Sequence, residues 1–252
     1  MEVKNELTDK KYWESYYGDK NVDRQKVINI CSRYDKYWEM LIQENSSNNP
    51  KSLIEIGGYP GRYLAYIGAK YDLRPTSLDF NSDRSAIENT FKLFDIADFD
   101  VIQADFLKNK TDKQYDIVIS NGFIEHFVNY DEVMDRHIDY LKEGGTLLMM
   151  IPNMRHYIYW YKLLVDKPNL DIHNTSCMNL KVFEAFAERN NLKIHHLDYL
   201  GGFPYSPHQP LNLLQKIIYK AHRLLFKFML DKHLEKRPNR FFSSSIIGVF
   251  QK

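Results

Sequence analysis

A carboxylate, three glycines and two tyrosines share one short stretch, Leu53-Ile54-Glu55-Ile56-Gly57-Gly58-Tyr59-Pro60-Gly61-Arg62-Tyr63-Leu64. The apolar residues up to 56 read as a strand, the glycines as a tight turn, and the chain from 61 as a helix start. Such a turn aims backbone N–H groups and a helix N-terminus at any ligand held over the strand end. The spacing narrows the choice of ligand. A dinucleotide fingerprint Gly-x-Gly-x-x-Gly would need glycine at 57, 59 and 62, where Tyr59 and Arg62 break the pattern. An acid-x-Gly-x-Gly-x-Gly pattern is met at Glu55, Gly57 and Gly61, with Tyr59 in the remaining place. Further on, Asp79 ends a second expected strand, and a carboxylate there can accept from both hydroxyls of a ribose. His126, His156 and His173 are side chains suited to moving a proton near neutral pH.

These residues need elements to position them, and the pattern supplies an alternation of strand and helix. Strands are expected at 52–56, 75–79, 100–103, 115–120, 145–151, 193–199 and 244–250, with helices near 61–71, 83–94, 131–141, 155–165 and 179–190. Alternation of this kind implies a mostly parallel sheet with helices on both faces. Residues 8–45 read as helical, and Glu143-Gly144-Gly145 as a helix-to-strand turn with a left-handed glycine cap. No linker divides the chain into independent units.

Composition excludes several classes. At 252 residues and 44% hydrophobic, the chain can bury a sizeable core, and a net charge of +1 gives no bulk attraction to nucleic acid. Cys31 and Cys177 stand far apart, fit no metal spacing and read as reduced thiols, so no metal is expected. The segment Met1-Glu2-Val3-Lys4-Asn5-Glu6 lacks the apolar core of a signal peptide, and no apolar run reaches the roughly 20 residues that span a bilayer. A cytoplasmic protein is expected.

With four spaced segments in order, the chain resembles the class I S-adenosylmethionine-dependent methyltransferases of the small-molecule and glycan type. The segments are the glycine turn, Pro75–Phe80, Val101-Ile102-Gln103-Ala104-Asp105-Phe106, and Tyr115–Phe127 with its Glu125-His126 pair. The resemblance covers about 50–200 and the closing strand. It implies a Rossmann-like, seven-stranded mostly parallel sheet whose last two strands form an antiparallel hairpin. It also implies S-adenosyl-L-methionine as cofactor, held by Glu55, Gly57, Gly58, Tyr59, Gly61, Asp79, Phe80, Asp105, Phe106 and Asn121. Tyr12, Trp13 and Tyr17 are similar to the family's lid helix, which places Tyr17 at the cofactor and residues 1–48 as a lid on a methyltransferase domain at 49–252. The segment after the fourth strand, Asn121-Gly122-Phe123-Ile124, lacks the prolines with which base-modifying relatives grip a flipped base, so nucleic acid is not the expected substrate. His126, His173 and His156 are the candidate bases, and His156–Tyr161 lies where the family builds its acceptor pocket.

One departure stands out. A helical insertion at about 205–240 interrupts the last hairpin. Within 210–236, Leu214, Ile217, Ile218, Ala221, Leu224, Leu225 and Phe228 recur at helical spacing beside Lys216, Lys220, Arg223 and Lys227. Such a helix can pack on the core, cover the site, join a homodimer or lie on the inner face of a membrane. The sequence therefore points to methyl transfer onto a small or carrier-linked acceptor, a saccharide by preference and at oxygen. The other reading is a non-catalytic cofactor-binding relative that acts as an interaction protein, favoured by Tyr59.

Overall fold

The computed structural model describes residues 5–17, 22–47, 49–80 and 83–252. The strands are β1 (Ser52–Ile56), β2 (Arg74–Asp79), β3 (Asp100–Gln103), β4 (Tyr115–Asn121), β5 (Leu141–Pro152), β6 (Lys193–Leu200) and β7 (Ser245–Gln251). They form one seven-stranded sheet in the order β3-β2-β1-β4-β5-β7-β6. The pairs among β1 to β5 are parallel, and β7 runs antiparallel to both β5 and β6. This is the Rossmann-like sheet with a terminal hairpin that the sequence implied.

Helices cover the sheet: α1 (Lys10–Tyr17), α2 (Arg24–Cys31), α3 (Asp35–Gln43), α4 (Arg62–Tyr71), α5 (Arg84–Lys92), α6 (Tyr130–Arg136), α7 (His156–Val165), α8 (Lys167–Asp171) and α9 (Leu180–Arg189). The insertion holds α10 (Leu213–Leu225), a π-helical stretch at Phe226–Leu230 and α11 (Asp231–Lys236). Successive strand residues point to opposite faces, so each buried strand feeds two cores. Leu53, Ile117, Ile119, Leu148 and Ile247 pack under α2 to α5, while Ile54, Val118, Leu147, Met149 and Phe250 pack against α6 and α9. Period two, with both faces apolar, is why these strands read as continuous apolar runs.

Three expectations are corrected. The helical stretch 8–45 is broken into α1, α2 and α3, because Asp23 accepts from the Lys26 N–H at 2.9 Å and caps a new helix, and Ser32–Tyr34 tightens to 3-10 geometry. The helix expected to 141 stops at Arg136, gives way to a 3-10 turn at His137–Tyr140, and Leu141 already pairs with Tyr115. Gly144 has the expected positive φ of 72°, yet it lies inside β5 and not at a helix end. There the register jumps between the Tyr115–Leu141 and Ile117–Thr146 pairs, a bulge that a left-handed residue makes feasible.

Candidate active site

β1 and β4 are adjacent in the sheet but distant in sequence, so the sheet's connectivity reverses between them and leaves a crevice at their carboxyl ends. After β1 the chain turns at Gly57 (φ 73°) and enters α4 through Gly61 (φ 87°), both in the region that side chains disfavour. A Cβ at 57 would sit 2.6 Å from the Phe123 ring, so the close approach of the segment after β4 also demands glycine. Tyr59 is not among the residues with positive φ, and its N–H donates to Asp79 Oδ2 at 3.2 Å. A side chain at 59 is therefore compatible with the turn, which removes the main support for a non-catalytic relative.

Two neighbouring cavities open over these strand ends and share Trp13, Gly57, Asn121, Gly122 and His126 in their walls. The larger encloses about 630 Å³, within the range of roughly 300–1,000 Å³ usual for ligand pockets. Glu55, Gly58 and Tyr59 line the larger cavity, while Asp79, Phe80, Asp105 and Phe106 line the smaller one. The carboxylates near the ends of β1 and β2 thus line neighbouring cavities that share a wall. Gly61 lines neither cavity and stands at the head of α4. The backbone of Tyr17 closes α1, but its side chain lies outside the described residues.

Glu55 is 3% exposed and accepts from Asn121 Nδ2 at 3.1 Å. Burial pushes its pKa up to about 8, against the opposing hydrogen bond from Asn121 and the charge of Arg62. Asn121 Oδ1 and Glu125 Oε2 are buried with no hydrogen-bond partner among the described residues. Buried acceptors without donors call for a ligand that brings donors. These oxygens therefore fit a ligand that brings hydrogen-bond donors, such as an ammonium.

His126 and His173 come together, with ring centroids 4.6 Å apart, and both line the larger cavity. His126 Nδ1 lies 3.0 Å from the Ile172 carbonyl, and His173 Nδ1 is hydrogen-bonded to the Asn169 carbonyl. A carbonyl can only accept, so each Nδ1 carries the proton and each Nε2 keeps a bare lone pair. Burial drives the pKa of His126 down to about 3 and that of His173 to about 4, so both are neutral and weakly basic. The third histidine of the sequence reading, His156, lines neither cavity and packs against Phe241, ring centroids 5.0 Å apart.

Sequence reasoning passed over two groups. Glu125 is 1% exposed, lies with an oxygen 3.9 Å from His126 Nε2, and has a pKa pushed up to about 8 by burial. Its signal was its place beside His126 just past β4. Lys162 is buried in the larger cavity's wall, donates to Asp166 Oδ2 and to the Ser206 carbonyl, each at 3.0 Å, and ties α7 to the loop after β6. A lone lysine inside the apolar run 156–165 was its signal.

The sequence family described as a methyltransferase domain matches residues 31–197. No curated protein sequence matches the chain. Among solved structures, coclaurine N-methyltransferase bound to N-methylheliamine and SAH is 12% identical over 100% of this chain and 84% of its own, with a TM-score of 0.61. An S-adenosylmethionine-dependent methyltransferase from Archaeoglobus fulgidus is 15% identical over 96% of this chain and 100% of its own (TM-score 0.57). The plantazolicin methyltransferase BpumL in complex with SAH is 15% identical over 96% and 89% (TM-score 0.55). At these identities the structural likeness speaks for the fold, and the family match extends over well over half of the chain. The protein belongs to the class I S-adenosylmethionine-dependent methyltransferases.

Proposed function

We propose that the protein methylates a hydroxyl of a small or carrier-linked acceptor that carries a saccharide. The observation that carries this reading is the wall of the larger cavity, where Glu125, His126 and His173 meet Tyr12, Tyr16 and Tyr205. Aromatic faces beside carboxylates such as Asp231 and Glu235 suit a sugar, which presents apolar C–H faces and hydroxyl edges together. Glu55 and Asn121 hold the cofactor's ammonium, Asp79 its ribose, and Asp105 and Phe106 its adenine, with α1 closing over them as a lid. Bound S-adenosylmethionine supplies a methyl group already activated by its sulfonium.

The chain's own part is alignment and one proton. Alignment alone can remove about 7–11 kcal/mol of barrier. The bare Nε2 atoms of His126 and His173 accept from hydroxyls of the acceptor that flank the reacting one, and so orient it. Glu125, whose ionised fraction grows as pH rises toward 8, takes the hydroxyl proton in its carboxylate form as the oxygen gains its methyl. Both histidines are too weakly basic for that step and serve as positioning groups.

The test is a transfer assay on paired acceptors that differ only in a hydroxyl or an amine, run with Glu125→Gln. A fall in kcat of about 10²–10⁴-fold with unchanged affinity for the demethylated cofactor is expected. Methylation of amines alone, or full activity in the variant, overturns the assignment.

A further inference from the structure

The insertion does not pack the way its composition suggests. On α10, residues three and four apart share a face, and the inward face is His222, Tyr219 and Ile218, continued by Phe226 and Leu234 against Ile158, Tyr161 and Phe203. The aliphatic stripe is turned outward. Leu213 is 77% exposed and Phe228 70%, and Leu214, Ile217, Leu224 and Met229 are exposed with them. No residue of α10 is buried. The patch continues onto α7, where Trp160 and Leu164 are exposed and the Gln215 amide donates to the Leu164 carbonyl at 3.0 Å.

Beside this stripe runs a row of cations, Lys216, Lys220, Arg223 and Lys227, all exposed and none ion-paired among the described residues. No Asp or Glu occurs between Asp198 and Asp231. The acids that follow, Asp231 and Glu235, line the larger cavity. With a net charge of only +1 over the whole chain, this cationic face is local and not a bulk property.

We propose that the outer face of α10 and the π-helical stretch, with Trp160 and Leu164 of α7, is a docking face for an anionic lipid surface. An apolar stripe bordered by unpaired lysine and arginine matches a headgroup layer with acyl chains below it. The alternative occupant, a second copy of the chain, would set the same cations against each other across a two-fold axis, and like charges there oppose association. No helix among the described residues is long and apolar enough to cross a membrane, so the contact is peripheral. The insertion that carries the face also walls the larger cavity through Asp231 and Glu235. Docking therefore brings the cavity beside the surface and defines the acceptor as one anchored in lipid. This last step rests on the acceptor reading above; the docking itself does not.

The full chain is sedimented with vesicles of phosphatidylcholine, with and without about one third phosphatidylglycerol. Binding to the anionic vesicles is expected, weakening as salt rises. Lys220→Glu with Arg223→Glu, and separately Leu224→Ser with Phe228→Ser, should each lower the partition by at least about tenfold. Calorimetry with the demethylated cofactor and circular dichroism establish that each variant is folded. No partition onto anionic vesicles, or equal partition onto neutral ones, overturns the proposal. So does a dimer in solution that the serine variants dissociate while vesicle binding is absent. Vesicle binding without methylation of any saccharide acceptor would sink the acceptor reading and leave the docking face standing.

Discussion

Glu55 is enclosed at the end of a buried strand, and the cost of burying its charge leaves it protonated at neutral pH until a cation arrives. Its pKa of about 8 in the free protein means that a ligand ammonium must displace a proton to form the ion pair. Binding at pH 7 is therefore expected to release a substantial fraction of a proton, and affinity should rise as pH climbs toward 8. Calorimetry in buffers of different ionisation enthalpy measures that release, and Glu55→Gln should abolish it. Unchanged proton release in the variant would place the coupled group elsewhere. At this scale the sequence was legible where chemistry and local geometry coincide. Glu55 and Asp79 each stand at or next to the end of a strand, and Gly57 and Gly61 mark the turn that follows the first. It was opaque where contact is long-range. His173 reaches His126 through bonds between segments remote in sequence, among them Asn174 N–H to the Glu125 carbonyl at 2.6 Å and His126 Nδ1 to the Ile172 carbonyl at 3.0 Å, and no spacing rule encodes that.

Between elements, Asp116 is the clamp that holds three strands in register. Its Oδ2 accepts from the N–H groups of Lys51 and Ser52 at 3.1 and 2.9 Å and from Ser52 Oγ at 2.6 Å, and its Oδ1 accepts from Lys142 Nζ at 2.8 Å. The start of β1, the start of β4 and the bulged start of β5 thus meet on one carboxylate. The Lys142 ammonium, the Ser52 hydroxyl and these N–H groups hold its pKa down to about 2, although burial works the other way. Asp116→Ala leaves the Lys51 and Ser52 N–H groups without acceptors, which should cost about 2–3 kcal/mol in urea unfolding. Loss of less than about 0.5 kcal/mol would mean that water replaces the carboxylate there. Strands were readable because a period of two survives burial on both faces, as Ile117, Val118 and Ile119 illustrate by feeding alternate cores. Helix faces were less so. The wide apolar stripe of α10 gave no sign of which side turns inward, since His222 and Phe226 settle that through partners on α7 and the loop after β6.

For the molecule as a whole, opposing buried groups shape stability against pH, and their windows separate. His126, His137 and His173 have pKa values lowered by burial to about 3, 4 and 4, so below about 6.5 the unfolded chain takes up protons that the folded chain refuses. Stability contributed by these groups falls as pH drops through that range. Glu55 and Glu125 act with the opposite sign, because their folded pKa values near 8 lie above the unfolded value near 4.5. Their contribution is complete below about 4.5 and is lost as pH rises to 8. Between about 4.5 and 6.5 the two sets oppose each other. Between 6.5 and about 7.5 the unfolded chain's histidines give up their remaining protons, and above about 7.5 the two carboxyls dominate, so the melting temperature of the ligand-free protein should fall from about pH 7.5 to 8. Saturation with the demethylated cofactor should raise the curve by mass action and flatten it, since an ammonium beside Glu55 favours the ionised form that rising pH produces. Thermal melts at half-unit steps, repeated for Glu55→Gln and Glu125→Gln, measure the slope and assign it. A ligand-free slope of zero or of opposite sign from about pH 7.5 to 8 would mean that these two carboxyls are already ionised in the folded chain. In that case the cavity must hold a counter-charge beyond Arg62, and the proton released on binding would vanish with it.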